Sequence, residues 1–202
     1  MYRYFNYFLR YLQHQNLKTY YMKEIRWHGR GGQGGFTASR LLGIAAGMFE
    51  EKHALAFPSF GPERRGAPVL AYTKIDNKKI HDRSEVEMCD YVVIMDETLV
   101  NENIAKGIKK DAIVLVNSKE GTKFEALKDF NVKTIDATSI ALDILGRPIT
   151  NTAMYGALVA ASDLVSLDAA TNSIKHEMKP ALVDKNVRIV EEAYKTVKAQ
   201  LS

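Results

Sequence analysis

The chain has 202 residues, of which 46% are hydrophobic and 26% charged, a balance that suits one α/β domain with a real core and excludes wholesale disorder. Its 28 Lys and Arg against 24 Asp and Glu leave a formal net charge of +4. These cations are spread along the chain and form no stripe, so a nucleic-acid binder is not expected. The single cysteine, Cys89, leaves no intramolecular disulfide and no iron–sulfur cluster to this chain alone, since a cluster needs about four thiolates. A reducing, cytoplasmic setting is the default.

Residues Met1 to Tyr21 differ from everything after them. Eight aromatics (Tyr2, Tyr4, Phe5, Tyr7, Phe8, Tyr11, Tyr20, Tyr21) are broken by Arg3, Arg10 and Lys18. No uninterrupted apolar run appears, so neither a secretory signal nor a membrane span is expected. Phe5, Phe8, Leu9 and Leu12 share one helical face, which suits a short helix docking on a partner. The simpler reading makes residues 1–21 an extension, with Met22 as the natural start and residues 22–202 as the domain proper.

From Lys23 strands and helices alternate. Glu24–His28 reads as a first strand. Thr37–Glu51 reads as a helix burying Leu41, Leu42, Ile44, Ala45 and Met48. Ala54–Phe57 is a short second strand. Ala67–Ile75 and Lys79–His81 flank Asp76-Asn77, a hairpin turn that would make part of the sheet antiparallel. Tyr91–Met95 and Ala112–Val116 are continuous apolar runs, as in central strands covered on both faces. Val132–Ile135 completes the strands, and Ala137–Leu145, Thr152–Val165 and Val183–Lys198 read as helices. The expected fold is α/β, a three-layer α/β/α sandwich with a mixed, mostly parallel sheet.

Gly29-Arg30-Gly31-Gly32-Gln33-Gly34-Gly35 joins the first strand to the first helix. Five glycines in seven residues permit positive φ and close backbone approach. The helix start behind them offers free N–H groups and a positive dipole end. An anion is the natural occupant; a tight turn with no ligand is the bland alternative. Gly29, Gly31 and Gly34 satisfy the dinucleotide-binding spacing. That pattern also needs an acidic residue ending the second strand, where Phe57-Pro58-Ser59-Phe60 has none. No Gly-Lys-Ser or Gly-Lys-Thr follows, which removes a nucleoside-triphosphate loop.

The second constellation, Phe57-Pro58-Ser59-Phe60-Gly61-Pro62-Glu63-Arg64-Arg65-Gly66-Ala67-Pro68, is a stiff loop carrying two arginines. Arg64 or Arg65 can face the glycine loop and hold a phosphate or carboxylate bidentately, unless both are solvated or paired with Glu63. The third, Arg147-Pro148-Ile149-Thr150-Asn151-Thr152 and onward, has Thr150 or Asn151 as a helix cap. Its Gly- and Ala-rich helix suits close packing at a subunit interface. The histidines fall at no metal-ligand spacing. Asp96-Glu97 reads as a polar strand end, and no catalytic residue of a self-sufficient enzyme is found.

Ile25 to Gly34, then Ala56 to Pro68, with Asp90–Glu97 and Thr150–Ala157, resemble the gamma subunits of pyruvate and related 2-oxoacid:ferredoxin oxidoreductases. The resemblance runs from about Met22 to the C-terminus. It implies a Rossmann-like gamma domain and alpha, beta and delta partner subunits. It also implies conversion of a 2-oxoacid, CoA and oxidised ferredoxin or flavodoxin into acyl-CoA, CO2 and reduced carrier. In such enzymes thiamine diphosphate with Mg lies between alpha and beta components and iron–sulfur clusters sit on beta and delta, so this chain alone is expected to bind none of them. CoA is then the co-substrate nearest to it. The wording of the arginine loop leans toward pyruvate over 2-oxoglutarate or branched-chain acids. Arg30, Gly31, Gly32, Gln33, Gly34, Gly35, Arg64 and Arg65 are the expected ligand-binding residues.

Overall fold

The alternating apolar runs form one sheet in the computed structural model, which describes residues 22–59 and 65–201. Its strands are β1 (Lys23–Arg30), β2 (His53–Pro58), β3 (Pro68–Asp76), β4 (Cys89–Ile94), β5 (Ile108–Asn117) and β6 (Asn131–Ile135), ordered β2-β3-β1-β4-β5-β6. β1, β4, β5 and β6 run parallel as neighbours, while β3 enters between β1 and β2, antiparallel to both. The helices are α1 (Gly35–Phe49), α2 (Glu102–Ala105), α3 (Ala137–Leu145), α4 (Asn151–Ala161), α5 (Leu167–Glu177) and α6 (Pro180–Leu201). The mixed α/β architecture is as expected.

The two-residue period of the strands sorts side chains into two cores. Ile25 and Trp27 of β1 join Val93, Met95 and Leu115 beneath α1, α4 and α6. Val92, Ile94, Val114 and Val116 point the other way, onto Leu99, Ile104 and Leu127. That second layer is thin: α2 and two short 3-10 turns, Glu97–Leu99 and Glu125–Leu127. In α1, Ala38, Leu41, Leu42 and Ala45 are fully buried, but Met48, expected beside them, is 57% exposed in the last turn.

No hairpin forms at Asp76-Asn77. The Asp76 carboxylate accepts from the Lys78 N–H at 3.1 Å, a local turn, and Lys79–His81 are not in a strand. The antiparallel character comes instead from β3, with Trp27 opposite Ala71. The segment after it returns to the sheet through Asp82, which lies 2.5 Å from the fully buried Lys74 ammonium. Glu24 lies 3.2 Å from the same nitrogen, and such pairing is what makes burial of a lysine tolerable.

All eleven residues of α4 are buried. A Cβ on Gly156 would lie 2.5 Å from the Val190 carbonyl oxygen in α6. The close backbone approach expected of this Gly- and Ala-rich helix is thus met within the chain, not by a second subunit. Helix α5 was not anticipated. Its signals are modest: Ser166 accepts from the Ala169 N–H at 3.1 Å, and Asp168 and Lys175 sit at the ends their charges favour. No described helix is long and apolar enough to cross a membrane.

Candidate functional site

β1 leads through α1, over one face, to β2 on one side; β4 leads through α2, over the other face, to β5 on the opposite side. The chain therefore changes direction between β1 and β4, and in open α/β sheets the crevice outside the carboxyl ends at such a point is the usual ligand position. The glycine loop lies there. The Gly31 N–H donates to the Ala67 carbonyl at 2.8 Å and the Gly66 N–H to the Gly31 carbonyl at 3.0 Å. These bonds lock the loop to the approach of β3 and bridge Gly31 to Arg65. Gly32 and Gly34 take φ of +95° and +79°, values that side-chain-bearing residues rarely adopt. The Arg30 N–H donates to Gln33 Oε1 at 2.7 Å, so Gln33 supports the turn from within.

Behind the loop, α1 begins with no side-chain cap and no acidic residue in its first turn. Helices α3 and α5 are capped by Asp136 and Ser166. Helix α4 is uncapped as well: Thr150 holds the cap position without a side-chain hydrogen bond. Among the described residues the Asn151 Oδ1 accepts only from its own neighbour, the Thr152 N–H, at 2.9 Å. Capping by either residue, expected from the sequence, is not what happens. The two uncapped starts meet, since a Cβ on Gly34 would lie 2.5 Å from Asn151 Nδ2. Free N–H groups and two positive dipole ends converge on one corner, which favours negative charge there.

The arginines divide. Arg30 Nε donates to Asp96 Oδ2 at 2.7 Å, Nη1 to the Gly66 carbonyl at 3.1 Å and Nη2 to Thr98 Oγ1 at 2.8 Å. It braces the loop to β3 and to the end of β4, and its charge is compensated. Burial works to raise the Asp96 pKa, but hydrogen bonds from Thr98 and Arg30 outweigh it and hold the carboxyl below its usual range. Arg65 is exposed beside Gly31 with no ion pair among the described residues. Arg64 lies outside the described residues. Sequence reasoning missed Asp96 and Asn151 as members of this corner. Asp96 stands 66 residues after Arg30 and Asn151 farther along still, and only the fold brings them in.

Two other features are not part of it. Burial first, and the Arg26 charge second, push the His28 imidazole down to about 3. It is a neutral acceptor for Arg26 Nε at 3.0 Å, and no group of three metal-ligating side chains occurs among the described residues. A cavity of about 240 Å³ lined by Lys23, Asp90, Lys109 and Lys110 lies at the opposite edge of the sheet, where β1, β4 and β5 begin.

Comparison with known proteins places this fold and loop in one family. The family description "Pyruvate ferredoxin/flavodoxin oxidoreductase" matches residues 24–196. Pyruvate synthase subunit PorC of Methanocaldococcus jannaschii is 46% identical over 174 residues, 86% of this chain and 96% of that protein. The common gamma subunit of pyruvate/ketoisovalerate oxidoreductases of Pyrococcus furiosus is 45% identical, again over 86% of this chain and 96% of that protein. The crystal structure of the Thermotoga maritima pyruvate oxidoreductase subunit PORC superposes with a TM-score of 0.74 at 40% identity, covering 86% of this chain and 96% of that one. The chain therefore belongs to the pyruvate ferredoxin/flavodoxin oxidoreductase family, among its gamma-type subunits.

Proposed function

We propose that this chain is the gamma component of a pyruvate synthase, working with alpha, beta and delta subunits. The assembly oxidatively decarboxylates pyruvate with CoA to acetyl-CoA and CO2, reducing ferredoxin or flavodoxin. The observation that carries the reading is near-half identity to PorC along almost the whole of that relative. A second reading rests on the relative named as common to pyruvate and ketoisovalerate enzymes: one gamma chain serves both acids. A stand-alone dinucleotide enzyme is disfavoured, because β3 separates β1 from β2 and β2 itself, His53–Pro58, carries no carboxylate.

Within the assembly this chain contributes binding. Gly32, Gly34 and Gly35 open backbone donors to an anion; Gly31, whose N–H is taken by the Ala67 carbonyl, holds the loop in shape with Arg30 and Gln33, and Arg65, with Arg64, supplies positive charge. The phosphates of CoA are the anion proposed. Thiamine diphosphate, Mg and iron–sulfur clusters belong to partner subunits in this reading. Cys89, the chain's lone thiol, is buried with its pKa pushed up by burial to about 11, which suits neither nucleophile nor cluster ligand.

Purification of the complex through a tag on this chain tests the reading. CoA-dependent reduction of ferredoxin or flavodoxin with pyruvate, and weaker turnover with 2-oxoglutarate, is the expected result. Equal rates with 2-oxoisovalerate would favour the shared-subunit reading. A tagged chain that copurifies with no thiamine-bearing partner, or a complex idle with every 2-oxoacid, would overturn the proposal.

A further inference from the structure

We propose that the side-chain amide of Asn151 is an additional ligand-binding group, donating to the same oxygen anion as the glycine corner. The inference rests on the reading of that corner as an anion site. Asn151 is 8% exposed. Its amide is oriented, because Oδ1 accepts from the Thr152 N–H at 2.9 Å. Nδ2 is thereby left as the end lying over Gly34. A buried amide nitrogen ordinarily places its hydrogens on acceptors. Among the described residues Asn151 Nδ2 has none. It is also not sealed from solvent, since no fully buried side-chain nitrogen or oxygen is left without a partner.

The surroundings say what the missing acceptor is. Nδ2 can only donate, so its complement is an acceptor oxygen. The uncapped starts of α1 and α4 meet at this spot with no acidic residue in either first turn, so a negatively charged oxygen is favoured over a neutral one. The start of α4 is also held rigid. Thr152 Oγ1 donates to Asn186 Oδ1 at 2.9 Å, and Asn186 Nδ2 donates to the Leu182 carbonyl at 2.8 Å. Asn151 is therefore presented from a fixed backbone, as a positioned donor should be. The ligand class is a phosphate or carboxylate group small enough to reach between Gly34 and α4.

The test replaces Asn151 in the assembled complex. Asn151→Asp keeps the size and shape but turns the donor into a carboxylate; Asn151→Ser shortens the side chain and withdraws the amide. For both we expect the apparent KM for CoA to rise about tenfold or more, with a much smaller change in the KM for pyruvate. Calorimetric CoA affinity should fall by the same factor. If the aspartate variant does not assemble, the serine variant is read in the same two ways. Unchanged CoA KM and affinity in an assembled Asn151 variant, while Gly32→Val weakens CoA, would overturn the role of Asn151 and leave the corner standing. Unchanged values in Asn151 and Gly32 variants alike would overturn the corner itself.

Discussion

The two ends of β1 treat charge in opposite ways. At its start, Asp90 lies 3.2 Å from the Lys23 ammonium and 2.7 Å from that of Lys109, and it accepts the Glu24 N–H at 3.0 Å. Lys23, Asp90 and Lys109 answer one another there, although this is where the cavity lies. At its end, Asp96 likewise takes the charge of Arg30, yet among the described residues the donors around it stay open: the first turn of α1, the Asn151 amide and the Arg65 guanidinium. Concavity marks the first place; unanswered donors mark the second. A site that must accept a charged ligand and release it is better recognised by the second property, because satisfied charges have nothing left to offer.

The sharpest way to break this contrast is Gly34→Val. The φ of +79° disfavours any side chain by roughly 1–2 kcal/mol. The new Cβ would also stand 2.5 Å from Asn151 Nδ2 and 3.1 Å from its Cγ. We expect a loss of about 2–4 kcal/mol in stability, read as a lowered melting temperature, together with collapse of CoA-dependent turnover. Gly66→Ala separates the two causes. It carries the same kind of positive φ, +80°, with open space around it, so it should show the strain without the collapse. Arg65→Ala comes next. It removes an exposed charge without disturbing packing, so assembly should be normal while the KM for CoA rises about tenfold. An unchanged KM would leave the backbone donors as the whole of the corner.

Asp96→Asn probes the brace and not the ligand contact. It should lower stability by roughly 1 kcal/mol at neutral pH and raise the CoA KM by a few-fold through a loosened Arg30. The pH dependence has a definite sign. With its folded pKa held below the ordinary value, Asp96 binds fewer protons in the folded than in the unfolded chain. Its contribution is complete above the ordinary carboxylate pKa of about 3.9 and drains away as pH falls through the lowered folded value. Acid unfolding of the wild type and Asp96→Asn should therefore converge as pH falls below 4 and differ most near neutrality. Parallel curves would mean that the carboxylate does not hold Arg30.

How much of this could be read from the chain follows from how local each cause is. Tyr91–Met95 and Ala112–Val116 were legible as central strands because burial on both faces demands unbroken apolar runs, and the glycine loop was legible because strand, glycines and helix are contiguous. The supposed hairpin failed for the same reason in reverse. Asp76-Asn77 has turn chemistry, but the partners of β3 are β1 and β2, chosen by long-range packing. Helix α5 was hidden because Leu167 and Ile174 are its only large apolar residues. Arg30 looked like a free cation because Asp96 is distant in sequence. Asn151 looked like a cap because nothing local shows that Gly34 presses against it.

The smallest expected effect is also the one that most directly separates the two ends of β1. Lys110 lines the cavity at the start of the strands. If concavity made the site, Lys110→Glu would weaken binding of an anionic substrate, since it reverses a charge at the cavity wall. The alternative follows from distance. The strand β1 spans eight residues, so its ends are separated by roughly 25 Å, well beyond the screening length of about 8 Å at physiological salt. A charge reversed at one end should not be felt at the other, and an exposed lysine contributes little to stability. We expect Lys110→Glu to assemble with its partners, melt within about 0.5 kcal/mol of the wild type and keep its KM for CoA. A several-fold rise in that KM, persisting at high salt, would move the binding site to the cavity and away from the glycine corner.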